Sequence, residues 1–257
     1  MPSRPTMLID TNVFFGSWPF LPHPNRTGRE LAAHLAAHGV KTGWVSPLGA
    51  AFLPEPMPAN RTLFAAVRGM RALIPVPVLN PALATWRDHL DECVDTMAIR
   101  AVRVMPTYHH YTLRDRRLPE FMAALRDNGV RLLVSARLED ERNRYFGLTV
   151  KGTRVADLAP FLRRFPEHHV LCNGLYKGEI ERLAREGANF SADLTFAEFL
   201  TTIESLRAAL PARRLMVGTG TPLLSTAAQL AKLRDARIPA RERAAIGSEN
   251  ARRFLAL

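Results

Sequence analysis

Short apolar runs alternate with longer segments of helical period along the whole chain, and that alternation limits the fold more than any motif does. Runs at 8–15 (LIDTNVFF), 42–48, 73–79 (LIPVPVL), 100–105 (RAVRVM), 131–136 (RLLVSA), 169–172, 189–194 (NFSADL) and 215–218 (LMVG) predict eight strands. Segments at 27–38, 60–70, 84–96, 119–128, 155–165, 178–186, 196–210, 225–236 and 240–255 predict the helices. Strands that each lead into a helix pair in parallel, with the helices covering the sheet. Alternation alone does not separate an open sheet from a closed one. The length of 257 residues does favour closure, because about 250 residues is the usual size of a (β/α)8 barrel. The expected fold is therefore α/β, a (β/α)8 TIM barrel, as a single domain over 1–257. Pro75 and Pro77 remove ladder donors and weaken the third strand. The Pro-rich stretch 47–58 predicts a loop within the domain.

The formal net charge is +11, which an anionic partner or simply an Arg-rich proteome would explain. A nucleic-acid arm needs clustered charge, and the densest groups are only Arg114 with Arg116 and Arg117, Arg163 with Arg164, and Arg252 with Arg253. A small anionic substrate fits this scatter; nucleic acid and membrane partners are not expected, and homo-oligomer formation is left open. Cys93 and Cys172 are the only cysteines, and no CxxC or Cys/His cluster exists, which fits a reducing compartment. No signal-peptide pattern and no run of about 20 apolar residues is present; a cytoplasmic location is the expectation. Neither GxGxxG nor GxxxxGK[ST] follows the first strand, so no nucleotide cofactor is expected.

Four pieces of sequence, in order, resemble the amidohydrolase-related family of hydrolases and nonoxidative decarboxylases. The first strand of that family ends I-D-x-H-x-H-x-G, and residues 9–16 read I-D-T-N-V-F-F-G. A middle strand enters a Pro-containing loop, matched by V-R-V-M-P-T-Y at 102–108. The last strand ends G-S-D-x-P, matched by G-T-G-T-P at 218–222, and an N-A-x-x-x-L signature closes the chain at Asn250, Ala251 and Leu255. The resemblance implies a metal-assisted barrel enzyme, but the ligands it would supply are replaced. Asn12 and Phe14 stand for the first-strand histidines and Gly220 for the last-strand aspartate. Ser135-Ala136-Arg137 and Cys172-Asn173 stand where the fifth and sixth strands would offer histidines. Catalytic zinc needs three N, S or O protein ligands; no metal site is expected.

What remains is a set of polar residues at strand ends, the face at which barrels do chemistry. Tyr108, His109 and His110 follow the fourth strand and suit general acid–base work. An aromatic loop packing on its own is the competing explanation. Arg137 ends the fifth strand, where a guanidinium would capture a carboxylate or phosphate through two bonds, with Glu139 or Glu141 pairing with it or serving as base. Asp193 is the surviving carboxylate candidate for a base; Asn12, Asn173 and Thr219 would position a ligand. Asp10, just inside the first strand, is equally suited to a structural role. The resulting expectation is a metal-independent amidohydrolase-like hydrolase acting on a small anionic amide, lactone or ester. His109, His110 and Asp193 would be catalytic; Asn12, Tyr108, Arg137, Glu139, Asn173 and Thr219 would bind substrate. A non-catalytic ligand-binding or scaffolding barrel and a nonoxidative decarboxylase are the alternatives.

Overall fold

The computed structural model describes residues 7–20, 22–23, 27–142, 150–187 and 189–256. Eight strands occur in sequence order: β1 (Leu8–Phe15), β2 (Val40–Pro47), β3 (Leu73–Pro75), β4 (Ala101–Val104), β5 (Arg131–Ser135), β6 (Val170–Asn173), β7 (Phe190–Asp193) and β8 (Leu215–Met216). All neighbouring pairs within β1–β3 and within β4–β8 are parallel. Two further seams close the ring. Between the third and fourth strands, Arg103 N donates to Pro77 O (2.8 Å) and Leu79 N to Arg103 O (2.9 Å). Between the last and first, Thr11 N donates to Val217 O (2.9 Å), Gly220 N to Asn12 O (2.8 Å) and Phe14 N to Thr221 O (2.7 Å). The result is a closed (β/α)8 barrel.

Around it lie α1 (Gly28–Ala37), α2 (Met57–Val67), α3 (Trp86–Met97), α4 (Leu118–Asp127), α5 (Val155–Arg164), α6 (Lys177–Glu186), α7 (Thr202–Ala209) and α8 (Thr226–Asp235). The first starts at a capping box, in which Thr27 and Glu30 each satisfy the other's backbone N–H. Prolines in the first turns of α2 and α4 sit where their missing N–H is harmless. The C-terminal segment runs through α9 (Ala240–Ala244), a π turn over Ala245–Glu249 and α10 (Asn250–Leu255). None of the helices among the described residues is long and apolar enough to cross a membrane.

Three local expectations change. Regular pairing in the third strand stops at Pro75, yet the chain stays in the wall through Val76, Pro77 and Leu79, so both prolines fall where no donor is required. The predicted helix over 196–210 begins only at Thr202; Phe199 and Leu200 are exposed, and the Thr202 hydroxyl donates to Phe199 O (2.7 Å). The Pro-rich stretch contains a 3-10 turn, Leu48–Ala51, and the start of α2.

Period-two alternation fills the barrel in layers. At the N-terminal end of the strands, Ile9, Trp44, Val76, Ala101, Leu133, Leu171 and Met216 form an apolar layer closed by Ala251, Phe254 and Leu255 of α10. At the opposite end Phe14, Trp18, Leu48, Val78, Met105, Leu138 and Leu223 form a second. Between them the same strands turn inward the residues two further along. Ser46 follows Trp44, Arg103 follows Ala101, Ser135 follows Leu133 and Asn173 follows Leu171, so the middle layer is polar.

Candidate functional site

The middle layer is organised by Arg103, which is fully buried. Its Nε donates to Ser46 Oγ (2.8 Å), and its Nη1 donates to Asn12 Oδ1 (2.8 Å) and Ser135 Oγ (2.7 Å). The guanidinium carbon lies 4.9 Å from the centre of the Phe14 ring, within cation–π range. Burial pulls its pKa down to about 10, with Asp193 and Asp10 opposing that shift; the group is a cation at neutral pH. Asn12 carries the network onward. Its Nδ2 donates to Thr195 Oγ1 (2.9 Å), which donates to Asp193 Oδ2 (2.6 Å). Asp193 also accepts from Asn173 Nδ2 (3.0 Å) and Gly174 N (2.9 Å). Arg103 Nη2 and Asn173 Oδ1 have no partner among the described residues.

Asp10 closes the seam between β8 and β1. It accepts from Asn12 N (3.1 Å), Thr219 N (3.0 Å) and Thr219 Oγ1 (2.5 Å). Burial dominates and lifts its pKa to about 7, against the lowering effect of those hydrogen bonds. The Thr219 hydroxyl continues to Thr221 (2.6 Å), Thr226 (2.6 Å) and His34 Nε2 (2.8 Å). The structural role considered for Asp10 is therefore realised, with Thr219 as its partner.

The remaining predicted residues are not gathered into one pocket. Arg137 is buried but turned toward the start of α6, and all five of its N–H groups are engaged. Nε and Nη2 meet Glu141 (3.2 and 2.9 Å), Nη1 and Nη2 meet Glu179 (2.6 and 2.8 Å), and Nη1 also donates to Gly174 O (2.6 Å). Tyr176 covers its face at 3.9 Å. With every donor engaged, Arg137 ties the end of β5 to α6. Glu139 accepts from Trp18 Nε1 (3.0 Å), linking the loops after β1 and β5. His109 is buried with Nε2 donating to Ala50 O (2.8 Å), which fixes its tautomer, and burial lowers its pKa. His110 is exposed, in the left-handed region at φ 54°. Tyr108 packs its ring edge-on against Phe52 at 6.3 Å. Asn12, Asn173, Asp193 and Thr219 do come together, but beneath the apolar layer.

Arg103, which organises the layer, was not among the sequence candidates. The signal was present: an arginine in inward register with Ala101 and Met105 in an otherwise apolar strand must be buried and paired.

The family model described as amidohydrolase matches residues 60–257, and the chain belongs to that family. No curated protein matches the sequence. Solved structures similar to it include a 2,6-dihydroxybenzoate decarboxylase from Rhizobium, with TM-score 0.74 and 14% identity over 97% of this chain and 98% of the other. A dihydroxybenzoic acid decarboxylase from Polaromonas, solved with bound manganese, has TM-score 0.73 and 14% identity over 97% of each chain. A protein from Acinetobacter baumannii, described as "probable 2-pyrone-4,6-dicarboxylic acid hydrolase", has TM-score 0.70 and 12% identity over 98% of this chain and 100% of the other. These likenesses share the fold; named members are decarboxylases or hydrolases.

A metal of the kind bound in the Polaromonas structure does not fit the residues present. Among the described residues no group of three or more His, Cys, Asp or Glu side chains could hold an ion. Asn12 and Ser135, at strand ends where the resemblance would place histidines, hold a guanidinium instead. Gly220, in the aspartate position, has φ +69°, and an added Cβ would stand 3.0 Å from the Thr195 methyl. An L side chain there would be strained.

Proposed function

We propose that this chain is a non-catalytic member of the amidohydrolase family, a barrel that works by binding or scaffolding rather than by turnover. One observation carries the proposal. The Arg103 guanidinium lies across the barrel between Asn12 and Ser135, under the layer made by Phe14, Leu48, Val78, Met105, Leu138 and Leu223. A metal-assisted reaction needs an open coordination position and a path for substrate. Among the described residues a fixed internal cation stands between Asn12 and Ser135, and buried apolar side chains lie above it, which supports the reading. The polar layer then serves stability, since a buried charge is tolerated only when paired and hydrogen-bonded.

The test is turnover itself. The purified chain is incubated with hydroxybenzoates and pyrone dicarboxylates, the substrates named for its structural relatives, and with simple lactones and aryl esters. The expected result is no turnover above that of the His109→Ala/His110→Ala double variant. The second function, a metal-free hydrolase, is favoured by one feature: an exposed His110 follows the fourth strand, at the end where barrels do chemistry. Lactone or ester opening that disappears in the double variant would establish it and overturn the first.

A further inference from the structure

The opposite end of the barrel carries a cavity of about 520 Å³, lined by Arg131, His169, Ser191, Arg213, Arg214, Met216, Asn250, Arg253 and Phe254. That volume lies within the roughly 300–1,000 Å³ of small-molecule sites. Its walls come from the N-terminal ends of β5 to β8 and from α10. Four arginines line it, and no acidic residue does.

Some arginines elsewhere in the chain are matched by carboxylates, as in Arg61 with Glu92, Arg137 with Glu179 and Arg154 with Asp157. Arg131, Arg213, Arg214 and Arg253 form no ion pair among the described residues. Arg214 Nε donates to Phe190 O (2.5 Å), and the guanidinium carbon lies 4.5 Å from the centre of the Phe190 ring. Its Nη2 is buried without a partner among the described residues. Burial and then Arg213 lower the pKa of Arg214. His169, held by Ser191 Oγ (2.8 Å), is pushed down to about 4, first by burial and then by Arg214 and Arg131. Neighbouring cations repel, so a cluster left bare opposes folding. A bound anion would remove the repulsion and give the Arg214 Nη2 an acceptor.

We infer that this cavity is a binding site for a small organic phosphoanion. Arginine forks match phosphate oxygens through paired bonds. Phe254 and Met216 supply an apolar wall for a ring or aliphatic portion of the same molecule. The inference is independent of whether the other end of the barrel is catalytic.

The test is calorimetric titration of the full chain with inorganic pyrophosphate and with ADP, with citrate and a single-stranded oligonucleotide as comparators. Both phosphate probes are expected to bind, ADP at least as tightly as pyrophosphate, and both to weaken about tenfold or more in Arg213→Ala/Arg253→Ala. These two side chains are exposed, and Arg253→Gln serves should the double variant not fold. Arg154→Ala, which removes a guanidinium paired with Asp157, is expected to leave binding unchanged. Four results would each overturn the assignment: no binding of either phosphate probe, binding unaltered by the cavity variants, citrate bound as tightly as pyrophosphate, or the oligonucleotide bound more tightly than both.

Discussion

Arg103 and Asp10 illustrate two ways of keeping a charged residue inside a barrel. Arg103 stays ionised because Ser46, Asn12, Ser135 and the Phe14 ring surround it and Asp193 is near. Replacing it with Met would leave the buried oxygens of Asn12, Ser46 and Ser135 without their donor, and a buried polar group left unsatisfied costs about 1–3 kcal/mol. Urea unfolding of Arg103→Met is expected to show a loss of that order; a change under about 1 kcal/mol would mean the network is not cohesive. Asp10 instead yields its charge, with its pKa raised from 3.8 to about 7. A raised carboxyl pKa means the folded state holds the proton more tightly than the unfolded one. The stability it contributes is complete at acid pH and falls as pH rises from about 4 through 7. Asp10→Asn has no proton to lose. Its stability relative to the wild type is therefore expected to improve across that interval, by on the order of 3 kcal/mol. Chemical denaturation of both proteins at several pH values reads this directly, and a pH-independent difference would place the Asp10 pKa in the ordinary range.

At the scale of elements, what the sequence revealed and what it hid divide along local and non-local physics. The alternation of strands and helices was legible because each element carries its own period, and the Thr27 cap and the α2 and α4 prolines are encoded within a turn. The start of α7 was not, because residues 196–201 have helical composition but lead out of β7 with Phe199 and Leu200 facing solvent. The site divides in the same way. The departures of Asn12, Phe14 and Gly220 from the resembled pattern could be read position by position, whereas the partners of Arg137 could not: Glu179 is 42 residues away. Adjacent His109 and His110 point to different surroundings, one buried and one exposed, as neighbouring residues commonly do. Since Arg137 joins the end of β5 to α6 through Glu179 and holds Glu141 of its own loop, Arg137→Ala is expected to lower unfolding free energy by about 3 kcal/mol. Its effect should appear in stability rather than in ligand affinity; weakened anion binding with unchanged stability would restore the substrate-clamp role.

The whole molecule is a family barrel with polarity rearranged around an unchanged frame. Among the described residues, buried apolar side chains cluster at its C-terminal end, a guanidinium holds its interior, and four arginines without an ion pair gather at the N-terminal end. The formal charge of +11 thus has a local concentration that the linear sequence conceals, since Arg131, Arg213 and Arg253 meet only in the folded chain. Everything proposed for the barrel interior depends on the Arg103 cation standing between Asn12 and Ser135 where a metal ion would need neutral or anionic ligands. Metal content is therefore the most direct measurement: the chain is purified after growth with added zinc and manganese, and titrated with both ions in the wild type and in Asn12→Ala. The account predicts far less than one ion per chain and no saturable high-affinity site in either protein; one tightly bound ion per chain, lost in Asn12→Ala, would contradict it.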